Sequence, residues 1–111
     1  MDISNNKVSI LGTEYEILVQ TPQENVKLED AHGIAELWSK KIILDIAKPE
    51  KNSFENLDAF NDKVLRHEII HAFFHESGLK EYTNDETLVD WLAVQAPKIF
   101  KVFTALKLME D

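Results

Sequence analysis

The spacing of apolar residues changes once along this 111-residue chain, near Phe54, and that change limits the fold more than any other feature. Before it, apolar and polar residues alternate. Val8 and Ile10, then Tyr15, Ile17 and Val19, are separated by polar neighbours, the period-2 signature of half-buried strands. Gly12-Thr13 lies between the two runs and can make a tight hairpin turn. Two more extended stretches are expected, over Ile34–Trp38 and Ile42–Ile46, joined by Ser39-Lys40-Lys41. The run Ile42-Ile43-Leu44 would also suit a buried helix, but it is short and rich in β-branched residues, which favours a strand. Gly33, just before the third stretch, suits a bulge or a positive-φ residue. Lys48 to Ser53 reads as a polar loop holding Pro49.

After the change, the period is helical. Leu57, Phe60, Val64, Ile70 and Phe74 recur at helical spacing, Ser53 offers a start, and Gly78 is a natural stop. The second half of this helix is apolar on nearly every face (Ile69, Ile70, Ala72, Phe73, Phe74), so burial is expected there. A second long helix starts near Thr83-Asn84-Asp85 and carries a stripe of Leu88, Leu92, Ile99, Phe103 and Leu106. Pro97 has no N–H and its ring meets the carbonyl of Ala93, so a kink or break is expected near it. Phe73, Phe74, Trp91, Phe100 and Phe103 read as core aromatics, and Trp38 as core or cleft rim. Strands first and helices second give an α+β fold: a small, mainly antiparallel or mixed sheet packed on a buried helix, then a long helix kinked near Pro97.

The length suits one domain spanning residues 1–111. The balance of 20 Asp+Glu against 12 Lys+Arg, a formal net charge of −8, argues against a nucleic-acid or anionic-membrane partner, since both need a basic surface. With no Cys, thiolate metal sites, disulfides and thiol nucleophiles are excluded. The N-terminus lacks the basic-then-apolar pattern of a secretion signal, and no stretch approaches the roughly 20 apolar residues of a membrane span. A cytoplasmic location is expected.

His67-Glu68-Ile69-Ile70-His71 is an H-E-x-x-H pattern within the first long helix. Residues i and i+4 stack on one helix face, so His67 and His71 can aim two imidazole nitrogens at one metal. Glu68 points to the side where a water would sit and can accept its proton as a general base. By chance alone the pattern arises in on the order of a few chains per thousand of this length. Here it is flanked by apolar residues that would bury it, and two His and a Glu in such a place need partners.

A catalytic zinc takes three protein ligands and keeps one position open. Glu86 and Asp90 stand one turn apart at the start of the second helix. Either carboxylate can complete the set; with Glu86 as ligand, Asp90 can fix a ligating His by accepting from its distal nitrogen. Glu86 also fits a capping box, Thr83-Asn84-Asp85-Glu86, which would turn it back on the helix start. His75 continues the column of His67 and His71, but three ligands in line on one helix surround a tetrahedral ion badly, so orienting substrate or plain surface exposure suits it better. Tyr82 is either packing or a donor to a developing oxyanion. His32 reads as a loop residue that can face the cleft.

The segment Arg66-His67-Glu68-Ile69-Ile70-His71-Ala72-Phe73-Phe74-His75-Glu76-Ser77-Gly78-Leu79 resembles small zincin-type metallopeptidases of phages and mobile elements, close to the ImmA/IrrE group. Glu86-x-x-x-Asp90-Trp91-Leu92-Ala93 is similar to their second signature and to the Glu-x-x-x-Asp of thermolysin-like gluzincins. The stretch from Gly33 to Ile46 resembles the strand pair before their active helix, so the likeness covers roughly residues 30 to 100. It implies one zinc ion per chain held by His67, His71 and Glu86, with Glu68 as general base and a mixed sheet whose edge strand pairs with an extended peptide. The chain departs from the group by starting with a hairpin in place of a helix, and by a short interval between His71 and Glu86. The expected activity is zinc-dependent hydrolysis of a peptide or protein substrate. The other reading is a noncatalytic metal-binding protein of a phage or mobile element that works by binding a partner.

Overall fold

The computed structural model describes residues 6–46 and 56–109. Four strands and three helices follow in the order β1 (Asn6–Ile10), β2 (Thr13–Val19), β3 (Gly33–Glu36), β4 (Lys41–Leu44), α1 (Leu57–Ser77), α2 (Lys80–Thr83) and α3 (Glu86–Ala105). A short 3-10 turn, Val26–Glu29, precedes β3. The fold is α+β with a mixed sheet in the order β1-β2-β4-β3.

The hairpin β1–β2 turns through Leu11 and Gly12, both at positive φ (49° and 88°), so the turn sits one residue earlier than Gly12-Thr13. Two successive positive-φ residues match the right-handed twist of the strands they join. β4 enters the sheet between β2, to which it is parallel, and β3, to which it is antiparallel. Its apolar run therefore has strands on both sides, and Ile42, Ile43 and Leu44 are buried. β3 is an edge strand. It is shorter than expected, ending at Glu36, and Trp38 stands in the following turn at 83 % exposure, outside the core. Gly33 is not among the positive-φ residues.

The core is aliphatic, plus one aromatic ring. Ile10, Tyr15, Ile17, Ile42 and Leu44 meet Ala72 of α1, with Val64, Leu65 and Ile69 packed around them. Ala72 has no bulk beyond its methyl group, so α1 comes close to the sheet, and the larger side chains beside it turn outward. This corrects the reading of the core aromatics: Phe73, Trp91, Phe100 and Phe103 are exposed, and Phe74 is half-buried. The second half of α1 is buried along one line, not all round.

Asn56 caps α1 by accepting from Ala59 N at 3.0 Å, and Gly78 ends it at φ 88°. The expected start at Ser53 and the loop around Pro49 lie outside the described residues. α3 runs unbroken through Pro97, so of the expected kink or break the break does not occur. The carbonyl that Pro97 cannot bond, that of Ala93, instead accepts from Arg66 Nε of α1 at 2.7 Å. No helix among the described residues is long and apolar enough to cross a membrane.

Candidate metal centre

Two helices meet at the centre. α1 presents His67 and His71 on successive turns, and α3 presents Glu86 from its first position. What frees Glu86 is the helix cap. Asp85, not Thr83, caps α3, its carboxylate accepting from Leu88 N at 3.0 Å, so the alternative of a capping box closed by Glu86 does not form and Glu86 faces the His pair.

The ligand atoms converge. His67 Nε2 lies 3.0 Å from Glu86 Oε2, His71 Nε2 lies 2.8 Å from Glu86 Oε1, and the two Nε2 atoms are 3.2 Å apart. Ligands about 2.0–2.1 Å from a tetrahedral zinc would be spaced at about 3.3 Å from one another, so the group is close to the size an ion needs. His67, His71 and Glu86 can hold a metal ion.

The distal nitrogens decide the chemistry of that convergence. His67 Nδ1 lies 3.3 Å from Asp90 Oδ1, a carboxylate that can only accept, so Nδ1 carries the proton. Lys63 Nζ pairs with the same oxygen and holds the Asp90 carboxyl below the usual range, which keeps it an acceptor. His71 Nδ1 lies 3.2 Å from Thr83 Oγ1, whose own hydrogen goes to the backbone oxygen of His71 at 3.0 Å, so this Nδ1 is also the donor. Each Nε2 is then the ring nitrogen left to face the Glu86 carboxylate, so that a proton or a metal ion belongs between them. The spacing of the three groups suits a cation at that point. Burial lowers the pKa of His71, which keeps its imidazole neutral and its lone pair available.

Glu68 is 8 % exposed and lines the same cleft, a cavity of about 710 Å³ between α1, β3 and the start of α3. Burial pushes its carboxyl up to about 7, and the Glu86 charge adds to the rise while His67 opposes it. His32, Phe60 and Val64 share the cleft wall, with Gly33, Ile34 and Ala35 of β3 opposite α1.

His75 and Tyr82 are not brought into that cleft. The His75 ring sits edge-on to Trp38 at 5.3 Å, and the Tyr82 ring packs against Phe74 at 5.8 Å. Thr83, Lys63 and Arg66 carry roles that the sequence reading did not assign. Thr83 occurs 12 residues after His71, in a stretch that reads as a helix cap, and only the turn through α2 brings it under the imidazole. Comparison with protein-family models, curated proteins and solved structures returns no match.

Proposed function

We propose that this chain is a zinc-dependent peptidase with His67, His71 and Glu86 as ligands and Glu68 as general base. The observation that carries the reading is the convergence of the two Nε2 atoms on the Glu86 carboxylate, with a buried carboxyl beside them that metal binding alone does not require. A zinc ion supplies a Lewis acid there, one that lowers the pKa of water from about 15.7 to about 7 and polarises a carbonyl oxygen.

The chain's own residues do the rest. Glu68, buried beside the ligand atoms, is placed to accept the proton of the attacking water. It then gives that proton to the leaving nitrogen as the C–N bond breaks. Asp90 and Thr83 hold the two imidazoles so that neither can rotate its lone pair away. β3 supplies an exposed sheet edge along the cleft, on which an extended peptide can add as a further strand. The resemblance to small zincins of mobile elements supports the same assignment.

The test pairs zinc content with hydrolysis of a mixed peptide library by Glu68→Gln. Retained zinc with cleavage lost is the expected result. Undiminished cleavage in this variant would remove Glu68 from the chemistry, and a native chain that takes up no zinc would remove the peptidase reading.

A further inference from the structure

α3 carries a regular seam, half-buried at Leu88, Leu92 and Gln95 and exposed from Ile99 onwards. Leu88, Leu92, Gln95, Ile99, Val102 and Leu106 follow one another in steps of four, three, four, three and four residues. This is the 3.5-residue repeat by which one helix lies along another, and only Gln95 in it is polar. α3 uses a different line to meet α1, where Val89 and Ala93 are fully buried. From Lys98 to Met109 every residue is exposed, with Ile99 at 37 %, Val102 at 56 % and Leu106 at 64 %. Trp91 and Phe103, both exposed, flank the seam.

We propose that a second copy of this chain covers the seam, the two α3 helices lying side by side, parallel and in register. Charge favours the pairing. The chain carries a net −8, yet the only charged residues from Trp91 to Met109 are Lys98, Lys101 and Lys107, so the acidic self-repulsion of the chain is absent at this surface. Orientation follows from Lys98, which flanks the seam. A parallel pair sets it against Phe103 of the second copy, where its aliphatic stem can lie on the ring, whereas an antiparallel pair centred at the same point sets Lys98 against Lys98. Gln95 meets Gln95 in the parallel register, and each side-chain amide can donate to the other. A single polar residue within such a seam is a known device for fixing register.

The area is sufficient. A whole aromatic side chain offers about 150–250 Å². At their observed exposures, Trp91, Ile99, Val102, Phe103 and Leu106 offer on the order of 500 Å² per copy. The pair would then bury about 1,000 Å², the lower bound for a specific interface. The seam is short, but α3 is already held in the domain, so association does not bear the cost of forming the helix.

Sedimentation velocity of the full chain over a concentration series tests the proposal. The native chain should pass from monomer to dimer, Val102→Glu should stay monomeric with unchanged helix content, and Lys101→Glu, on the opposite face, should still pair. Gln95→Leu should give a tighter discrete dimer with no larger species, which separates pairing from the aggregation of a misfolded chain. Because the chain has no Cys, Val102→Cys should form an intermolecular disulfide on oxidation while Phe100→Cys, off the seam, should not. A native chain that remains monomeric throughout, or equal cross-linking of the two Cys variants, would overturn the pairing. So would a monomer that instead sediments with phosphatidylserine vesicles, which would make α3 a lipid-facing helix. None of these outcomes bears on the metal ligands.

Discussion

Gly33 of β3 lies so close to Glu68 of α1 that a methyl group in place of its hydrogen would sit 3.0 Å from Glu68 Cγ and 2.8 Å from Val64 Cγ1. The edge strand and the helix of the metal centre are in near contact at the residue assigned the proton transfer. Gly33→Ala must push one of them back. The expected cost is about 1–3 kcal/mol of stability, as for other overpacked sites. Hydrolysis should fall by more than zinc affinity does, because His67 and His71 do not touch Gly33 in this way; equal losses would show that the whole helix had moved.

A second prediction concerns the bond between Arg66 and the carbonyl of Ala93. Arg66→Ala leaves that carbonyl with neither Arg66 nor a residue-97 N–H to bond it, for an expected loss of about 1–3 kcal/mol in urea denaturation. Pro97→Ala restores the N–H that the helix lacks. In the double variant the Ala93 oxygen is bonded again, so the two changes should be clearly non-additive, with the second substitution recovering most of the first loss. Strict additivity would show that the bond contributes nothing to holding α3 on α1.

The ligands separate by role. Glu86→Ala should abolish stoichiometric zinc binding, because it removes a ligand outright. Asp90→Ala and Thr83→Val should keep the ion but weaken it about 10–100-fold, the usual effect of losing a residue that orients a ligating His. Competition with a chromogenic chelator measures all three. Zinc lost in Asp90→Ala and kept in Glu86→Ala would exchange the two assignments.

Glu76, near the end of α1, accepts from Thr13 Oγ1 at 2.9 Å, Tyr15 OH at 2.6 Å and Lys40 Nζ at 2.7 Å, tying the helix to the hairpin and to the turn before β4. Lys40 first, and then the two hydroxyls, hold its carboxyl down to about 2 from an ordinary value of 4.5. A pKa depressed in the folded chain means stability that is complete above about pH 4.5 and is lost as the pH falls towards 2. Thermal melts should therefore show Glu76→Gln less stable than the native chain at neutral pH, with the difference closing in that acid window. A constant difference down to pH 2 would contradict the assignment.

The strand half and the helix half were legible because each has its own period, and each period survived folding at Tyr15 and Ile17 and along α1. The large aromatics were misread because size was taken for burial. A sheet of four short strands gives α1 room for Ala72 at the point of contact and leaves Phe73 beside it in solvent. That the helix continues past Pro97 is not legible locally, because the partner of the Ala93 carbonyl lies 27 residues upstream. At the metal centre, the H-E-x-x-H spacing and the two carboxylates one turn apart were visible as patterns. Which carboxylate faces the ion depends on one cap, Asp85 on Leu88, and a sequence holding Thr83, Asn84 and Asp85 together does not say which of them will serve.

Every side chain that meets the candidate ion or steers its ligands lies between Lys63 and Asp90, on one helical hairpin, while the sheet contributes only the facing wall. The consequence is an order of assembly. Only 15 positions separate His71 from Glu86, so a cation clipping the two helices together closes a short loop at small entropic cost. The parallel pairing of β2 with β4, by contrast, joins residues 25 positions apart, Glu16 with Lys41, and closes a longer loop. Amides of α1 and α3 should gain protection before those of the sheet in pulsed hydrogen exchange, and earlier still when zinc is present. The chain would thus form its candidate ligand cluster first and close the facing cleft afterwards, so that strand mutations should reshape the cleft without altering zinc affinity.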